Sequence, residues 1–362
     1  MTTAGSNETH GGLRLLYLGK MSGTSLDRSN ALRRLGHDVT HIDLRDLLPP
    51  TVWIERVTWR FGGTWFAPLI NHGLTARLGR QTFDLCHVDC GELVTASVIA
   101  LLRKHAPLIV NYNIDDPFGP RDGARWQAYR LSASLYDLCV VMREENVVEA
   151  MARGVKNVMR VYMSADEVSH APRALSAADG ERWQADVLFL GTWFPERGPF
   201  LLELIQRGVP LTIRGPHWHK APEWDRLKPH WKGGAVHGDD YARAIQCAKV
   251  NLGLLSKANR DLHTTRSLEI PSLGGLLCAQ RTSEHVAMYR EDQEALFWDD
   301  ATECAVKCHA VLQNEGQRRK IAAAGQARTK RNGHYNEVVM QEILARARAH
   351  GNQRRCAAGH GA

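Results

Sequence analysis

Apolar runs of strand length alternate with glycine-stopped helical stretches along this 362-residue chain, and that alternation restricts the fold more than any other feature. The run from Leu13 to Leu18 closes at Gly19, the pattern of a strand buried on both faces. A loop of small residues, Met21 to Ser25, follows it. The spacing then predicts a helix over Asn30 to Leu35, stopped by Gly36, and a second strand from Asp38 to Asp43. A strand, a helix and a strand in this order open a doubly wound parallel sheet. Further strands are expected at 82–88, 107–113, 136–142 and 158–162. Between 165 and 186 Pro, Ser, Ala and Asp dominate, as in a linker. The alternation then restarts, with strands at 186–191, 209–213, 250–255 and 295–298 and helices reaching about residue 349.

This pattern predicts an α/β protein of two Rossmann-like doubly wound domains facing an interdomain cleft. The expected divisions are a flexible N-terminus over 1–12, a first domain over 13–170, a linker over 171–185, a second domain over 186–350 and a disordered tail over 351–362. Ligands of open parallel sheets bind beyond the carboxyl ends of the strands, so the cleft is the expected site.

Composition narrows the function classes. No window approaches the roughly 18 consecutive apolar residues of a membrane span, and residues 1–12 lack the apolar core of a signal peptide. A cytoplasmic protein is expected. The net charge of +7 is spread along the chain without a Lys/Arg block, which fits an anionic ligand, argues against nucleic acid and leaves room for peripheral membrane contact. The eight cysteines, in a chain without a secretion signal, fit a reduced compartment. Cys86 and Cys90, and Cys304 and Cys308, have superficial metal spacings but read as small apolar fillers, so no metal site is expected.

The most chemically loaded stretch runs from Asp261 to Gly275. Asp261 and Glu269 lie eight positions apart, with Thr264, Thr265 and Arg266 between them and Gly274-Gly275 after them. Two hydroxyl residues suited to capping, a cation and a carboxylate at the start of a short helix suit a phosphorylated sugar. Pro271 keeps that helix short or kinks it. Arg266 and Glu269 are one turn apart, so a structural ion pair between them is the competing reading.

Two segments carry a family likeness. Phe189-Leu-Gly-Thr-Trp-Phe-Pro-Glu-Arg-Gly198, and Thr265-Arg-Ser-Leu-Glu-Ile-Pro271 with the Gly-Gly-Leu-Leu after it, resemble the C-terminal half of CgeB-like glycosyltransferases of the spore-maturation type, which have the GT-B fold. The likeness is best over about 186–330. It implies an enzyme that moves a sugar from a nucleoside diphosphate to an acceptor, with the donor on the second domain and the acceptor on the first. It also implies no metal and no cofactor, the nucleotide sugar being a co-substrate. The acceptor class, whether glycan, protein, lipid or small metabolite, stays open. In that likeness Glu269 stands at the last acid of a Glu-x7-Glu pattern and binds the ribose hydroxyls. Asp261 stands at the first acid, shortened to Asp, and implies retention of configuration. A nucleotide-sugar epimerase or hydrolase on the same fold, or a binding protein without turnover, are the alternatives.

Further candidates follow from position. Gly191 and Thr192 close the first strand of the second domain, and Arg197 opens the next helix as a phosphate contact or a solvated arginine. Arg214 ends the following strand and His237 precedes a helix, either near a nucleobase or in plain turns. Thr265, Arg266 and Glu269 complete the donor set. In the first domain, backbone N–H groups of Gly23 and Thr24 are expected near the diphosphate. Asp115 and Asp116 follow a strand, and Asp116 is the candidate general base, against a turn in which it caps its own backbone. Tryptophans 53, 59, 65, 218, 224 and 231 cluster in two loop-rich stretches, for packing, sugar stacking or lipid contact.

Overall fold

The computed structural model describes residues 12–359; the expected flexible N-terminus up to residue 11, and residues 360–362 of the expected tail, lie outside them. The chain divides into two compact units, residues 1–161 with 339–362, and residues 162–338. The expected linker at 171–185 is therefore corrected. It lies inside the second unit and folds, because Ser176 and Asp179 cap each other reciprocally at the start of a helix. The expected tail also needs correction, since the last helix continues to Gly359.

The first unit carries a six-stranded parallel sheet in the order β2-β1-β3-β4-β5-β6. Its strands are β1 (Arg14–Leu18), β2 (Asp38–Ile42), β3 (Leu85–Asp89), β4 (Ile109–Asn113), β5 (Leu138–Val141) and β6 (Val158–Arg160). Helices α1 (Gly23–Arg34), α2 (Val52–Phe61), α3 (Ala67–Leu78), α4 (Ala96–Leu102), α5 (Gln127–Ser132) and α6 (Glu144–Ala152) connect them. The stretch 23–25, expected as loop, is the first turn of α1. Every residue of β3, β4 and β5 is buried, as parallel strands covered on both faces must be. Leu16, Val88, Ile109 and Cys139 of the sheet meet Ile70, Leu74, Val98 and Leu102 of the helices in one core.

The second unit carries a five-stranded sheet in the order β11-β10-β9-β7-β8. Its strands are β7 (Ala185–Leu190), β8 (Leu211–Arg214), β9 (Ala248–Gly253), β10 (Leu277–Gln280) and β11 (Leu296–Trp298). The helices are α7 (Ala177–Trp183), α8 (Arg197–Gln206), α9 (Trp224–Leu227), α10 (Gly238–Cys247), α11 (Arg266–Ser272), α12 (Ser283–Met288), α13 (Ala301–Gln313) and α14 (Glu315–Asn332). Helix α15 (Asn336–Gly359) begins in this unit and ends in the first. Of the second tryptophan cluster, Trp218 joins the core and Trp224 and Trp231 pack against it. Strand pairing is parallel in both sheets, with β1 beside β2 and β3, and β7 beside β8 and β9.

Three histidines are held neutral by burial. His87, stacked on Tyr17 at 4.9 Å, His285 and His334 each have the ring pushed down to about 4. In an unfolded chain the same rings titrate near 6.5. As pH falls from about 6.5 towards 4, the unfolded chain takes up protons that the folded one refuses, so folding stability falls over that window. Calorimetric melting at a series of pH values should show a transition temperature that drops steadily below pH 6.5. A flat profile between pH 7 and 5 would contradict the neutral burial of these rings.

Candidate functional site

Each sheet reverses its winding beside its first strand, between β1 and β3 in the first unit and between β7 and β9 in the second. Such a switch point splays the connections that leave the strands to opposite sides and opens a crevice at their carboxyl ends.

In the first unit that crevice is a cavity of about 350 Å³, lined by Gly19, Lys20 and Ser22 to Ser25 after β1 and by Asp89 to Val94 at the end of β3. Gly23 has φ 58° where α1 begins, a conformation that favours glycine. Gly23 and Thr24, expected near a diphosphate, line this cavity from the first turn of α1. Beneath them Arg28 of α1 donates to Asp89 at 2.7 Å, and the Tyr17 hydroxyl donates to the same oxygen at 2.5 Å. Burial alone would raise the Asp89 carboxyl, but Arg28 and the Tyr17 hydroxyl hold it below the usual carboxylate range. Glu92 is bridged by Arg45 at 2.5 Å and Arg125 at 2.6 Å, and is held down in the same way against its burial.

Asp115 also lines this cavity, 3.4 Å from Arg125. Burial raises its carboxyl and Arg125 offsets only part of the rise. The expectation for Asp116 is corrected here. Its side chain is buried away from the cavity and accepts from the Gly119 N–H at 3.0 Å and the Asn146 amide at 2.8 Å. It shapes the turn, and its neighbour Asp115 faces the open space.

In the second unit, Arg197 sits at the switch point. It is buried, and donates to the Thr192 carbonyl after β7 at 2.8 Å and to the carbonyls of Leu254 and Leu255 after β9 at 3.1 Å each. Its guanidinium ties the two strand ends together, which corrects its expected place as a phosphate contact. Gly191 is where β7 must stop without a side chain: a Cβ there would lie 2.7 Å from the Phe189 ring. Its carbonyl accepts from the Trp218 indole at 3.0 Å. Arg214 is likewise committed, donating to the Lys232 carbonyl at 2.7 Å with its guanidinium over the Trp183 ring. His237 is exposed at the start of α10 and its ring caps nothing.

Helix α11 is positioned by a relay. The Thr264 N–H donates to the Ser267 hydroxyl at 3.1 Å, and that hydroxyl meets His285 Nε2 at 2.7 Å. His285 Nδ1 faces the Gln280 carbonyl at 2.7 Å, so Nδ1 carries the proton and Nε2 accepts from Ser267. Thr265 takes the cap position with no side-chain cap bond. Arg266 donates through Nε to the Leu190 carbonyl at 2.7 Å, which fixes its guanidinium at the end of β7. Asp261 is buried on the loop that leads from β9 to α11.

Glu269 is buried and held by two groups. The Tyr241 hydroxyl of α10 donates to Oε2 at 2.5 Å, and His170 Nε2 stands 3.5 Å from Oε1. His170 Nδ1 accepts from the Asp166 N–H at 2.8 Å, so its remaining proton lies on the nitrogen that faces Glu269. Tyr241 is kept protonated, since burial and then Glu269 push it well above its ordinary value. Sequence reasoning singled out neither Tyr241, in α10, nor His170, in the stretch read as linker-like. Neither carries a local motif. Only the fold brings them to Glu269.

Among the described residues, one group has the donor set for a metal: Cys278, Cys304 and Cys308, all buried, with their sulfurs within 4.8 Å of one another. The spacing of Cys304 and Cys308 was visible in the sequence, whereas Cys278 joins from β10. All three belong to the apolar core of the second unit.

Residues 197–345 match the model of a family described as glycosyl transferase-like. Sucrose-phosphate synthase from Thermosynechococcus elongatus is similar in structure, with a TM-score of 0.65 at 12% identity over 92% of this chain and 98% of that one. HepE of Anabaena in complex with UDP-glucose gives 0.62 at 11% identity, over 92% and 98%. The α,α-trehalose 6-phosphate synthase of Burkholderia multivorans gives 0.60 at 11% identity, over 96% and 98%. No curated protein matches the chain in sequence. The fold is thus GT-B, with two Rossmann-like α/β units. Together with the matched domain it defines the class, a glycosyltransferase enzyme.

The buried Arg28–Asp89 pair allows a direct test. Arg28→Leu leaves a buried carboxylate without its cation and should cost about 3–5 kcal/mol of stability. The double variant Arg28→Leu with Asp89→Leu should recover much of that loss. Urea unfolding of both variants checks this, and a single variant as stable as the wild type would refute it.

Proposed function

We propose that this chain transfers a glycosyl group from a UDP-sugar to a hydroxyl acceptor, with retention of configuration and without a metal. The carrying observation is Glu269, a buried carboxylate oriented by Tyr241 and His170, three residues along α11 from an arginine fixed at the end of β7. A carboxylate held in this way can accept from both ribose hydroxyls of a nucleotide. The similar fold of a protein whose structure contains UDP-glucose supports the choice of base.

Arg266 supplies the charge for the departing diphosphate. Its Nε is committed to Leu190, so the Nη groups are pre-positioned and need no reorganisation when charge develops on the leaving oxygen. The bond from the anomeric carbon to the β-phosphate oxygen breaks, and a bond to the acceptor oxygen forms. The acceptor hydroxyl proton leaves with the phosphate oxygen or a nearby base. The first unit's cavity takes the acceptor, and Asp115, with its raised carboxyl, accepts a hydrogen bond from the acceptor hydroxyl. Asp261, eight residues before Glu269, supports retention through the acid spacing.

Titration calorimetry tests the donor assignment. Glu269→Ala removes charged hydrogen bonds worth about 1.5–3 kcal/mol, and should weaken UDP binding by roughly 10–100-fold, measured on protein that circular dichroism shows to be folded. UDP affinity equal to wild type would remove Glu269 from the ribose. The anomeric configuration of the product, read by NMR, decides retention.

A further inference from the structure

The first tryptophan cluster behaves unlike the second. Trp53 is 70% exposed, Trp65 76%, Phe61 57% and Trp59 43%, and among the described residues no other tryptophan or phenylalanine is classed as exposed. All four lie on α2 or on the short turn between α2 and α3, with exposed Leu69 just beyond. Helix α2 is held to the first unit's core through Ile54 and through buried Thr58, one turn along. Trp53, Arg56 and Arg60, at spacings of three and four, share the opposite face. Arg56 lies over the Trp53 ring at 5.4 Å and Arg60 over the Phe61 ring at 5.8 Å.

Charge decides what this face can meet. Between residues 51 and 80 the exposed cations are Arg56, Arg60, Arg77 and Arg80, and the only acid is Glu55. Rings with an apolar body and a polar edge, interleaved with arginines, match the boundary between acyl chains and anionic headgroups. A second copy of the chain is a poorer partner, because a twofold contact would set these arginines against one another.

We propose that the outer face of α2 and the turn after it dock the first unit on an anionic lipid bilayer. The face borders the cavity at the β1–β3 switch point, since Arg125, which lines that cavity, lies over the Trp59 ring at 4.9 Å. Docking concerns this surface alone and does not depend on the reaction assigned above.

Sedimentation of the full chain with sucrose-loaded vesicles tests the proposal. Vesicles of phosphatidylcholine with about one-third phosphatidylglycerol should pull the protein down, and pure phosphatidylcholine should do so much less. Raising salt should release it, because headgroup attraction is screened within a Debye length. At about 1 kcal/mol per surface arginine, Arg56→Glu with Arg60→Glu should weaken binding at least about tenfold. Trp53→Ser with Trp65→Ser should weaken it on the same vesicles. Both pairs are exposed, and circular dichroism melting should match wild type. Three results would overturn the proposal: no binding to anionic vesicles, binding unaffected by both double variants, or a dimer in analytical ultracentrifugation that Trp53→Ser with Trp65→Ser dissolves.

Discussion

A buried arginine stands at the point where each sheet reverses its winding, and the geometry of both candidate sites rests on it. Arg28 comes from the helix after the first strand of one unit, and Arg197 from the helix after the first strand of the other. The first is neutralised by Asp89 at the end of β3; the second is satisfied by carbonyls after β7 and β9. Parallel strands that diverge at a switch point leave carbonyls and acids without neighbours in the sheet. A planar guanidinium, with five donors in fixed directions, closes such a gap where an ammonium could not.

With the strand ends held, the reactive groups stand on supports that do not move independently. Arg266 is pinned to the last carbonyl of β7, and α11 is pinned through Ser267 and His285 to the end of β10. Glu269 thus inherits its position from two strands, and its proton-donor neighbours from α10 and from the segment around His170. The Tyr241 hydroxyl and the His170 ring face this one carboxylate and fix its orientation.

Much of this was legible in the sequence. The alternation of strands and helices, the second unit's first strand stopping before Gly191, and the short helix that carries Arg266 and Glu269 were readable because each depends on neighbours a few residues away. What was not legible depends on long closures. Asp89 and Arg28 meet across 61 residues, and Arg197 reaches the carbonyls of Leu254 and Leu255 only because β7 pairs with β9. The same distance explains the misplacement of Arg197 and Asp116: one was read at a helix start and the other after a strand, and their buried partners lie far along the chain. The linker was misread because a composition rich in Ser, Ala and Asp also suits a capped short helix. The two tryptophan clusters, alike in sequence, separated only once Trp218 found a carbonyl and Trp53 found none.

The division of the chain carries a consequence for its synthesis. The first unit is built from residues 1–161 and completed by residues from Val339 onwards, so the second unit is an insertion within it. Val339, Met340, Ile343, Leu344 and Ala347 of α15 are buried, and Gly351 lies within reach of Leu108, just before β4. A ribosome therefore releases all of the second unit before the first can close. The sheet with the β1–β3 cavity is made early, but its unit is complete only when the last helix emerges.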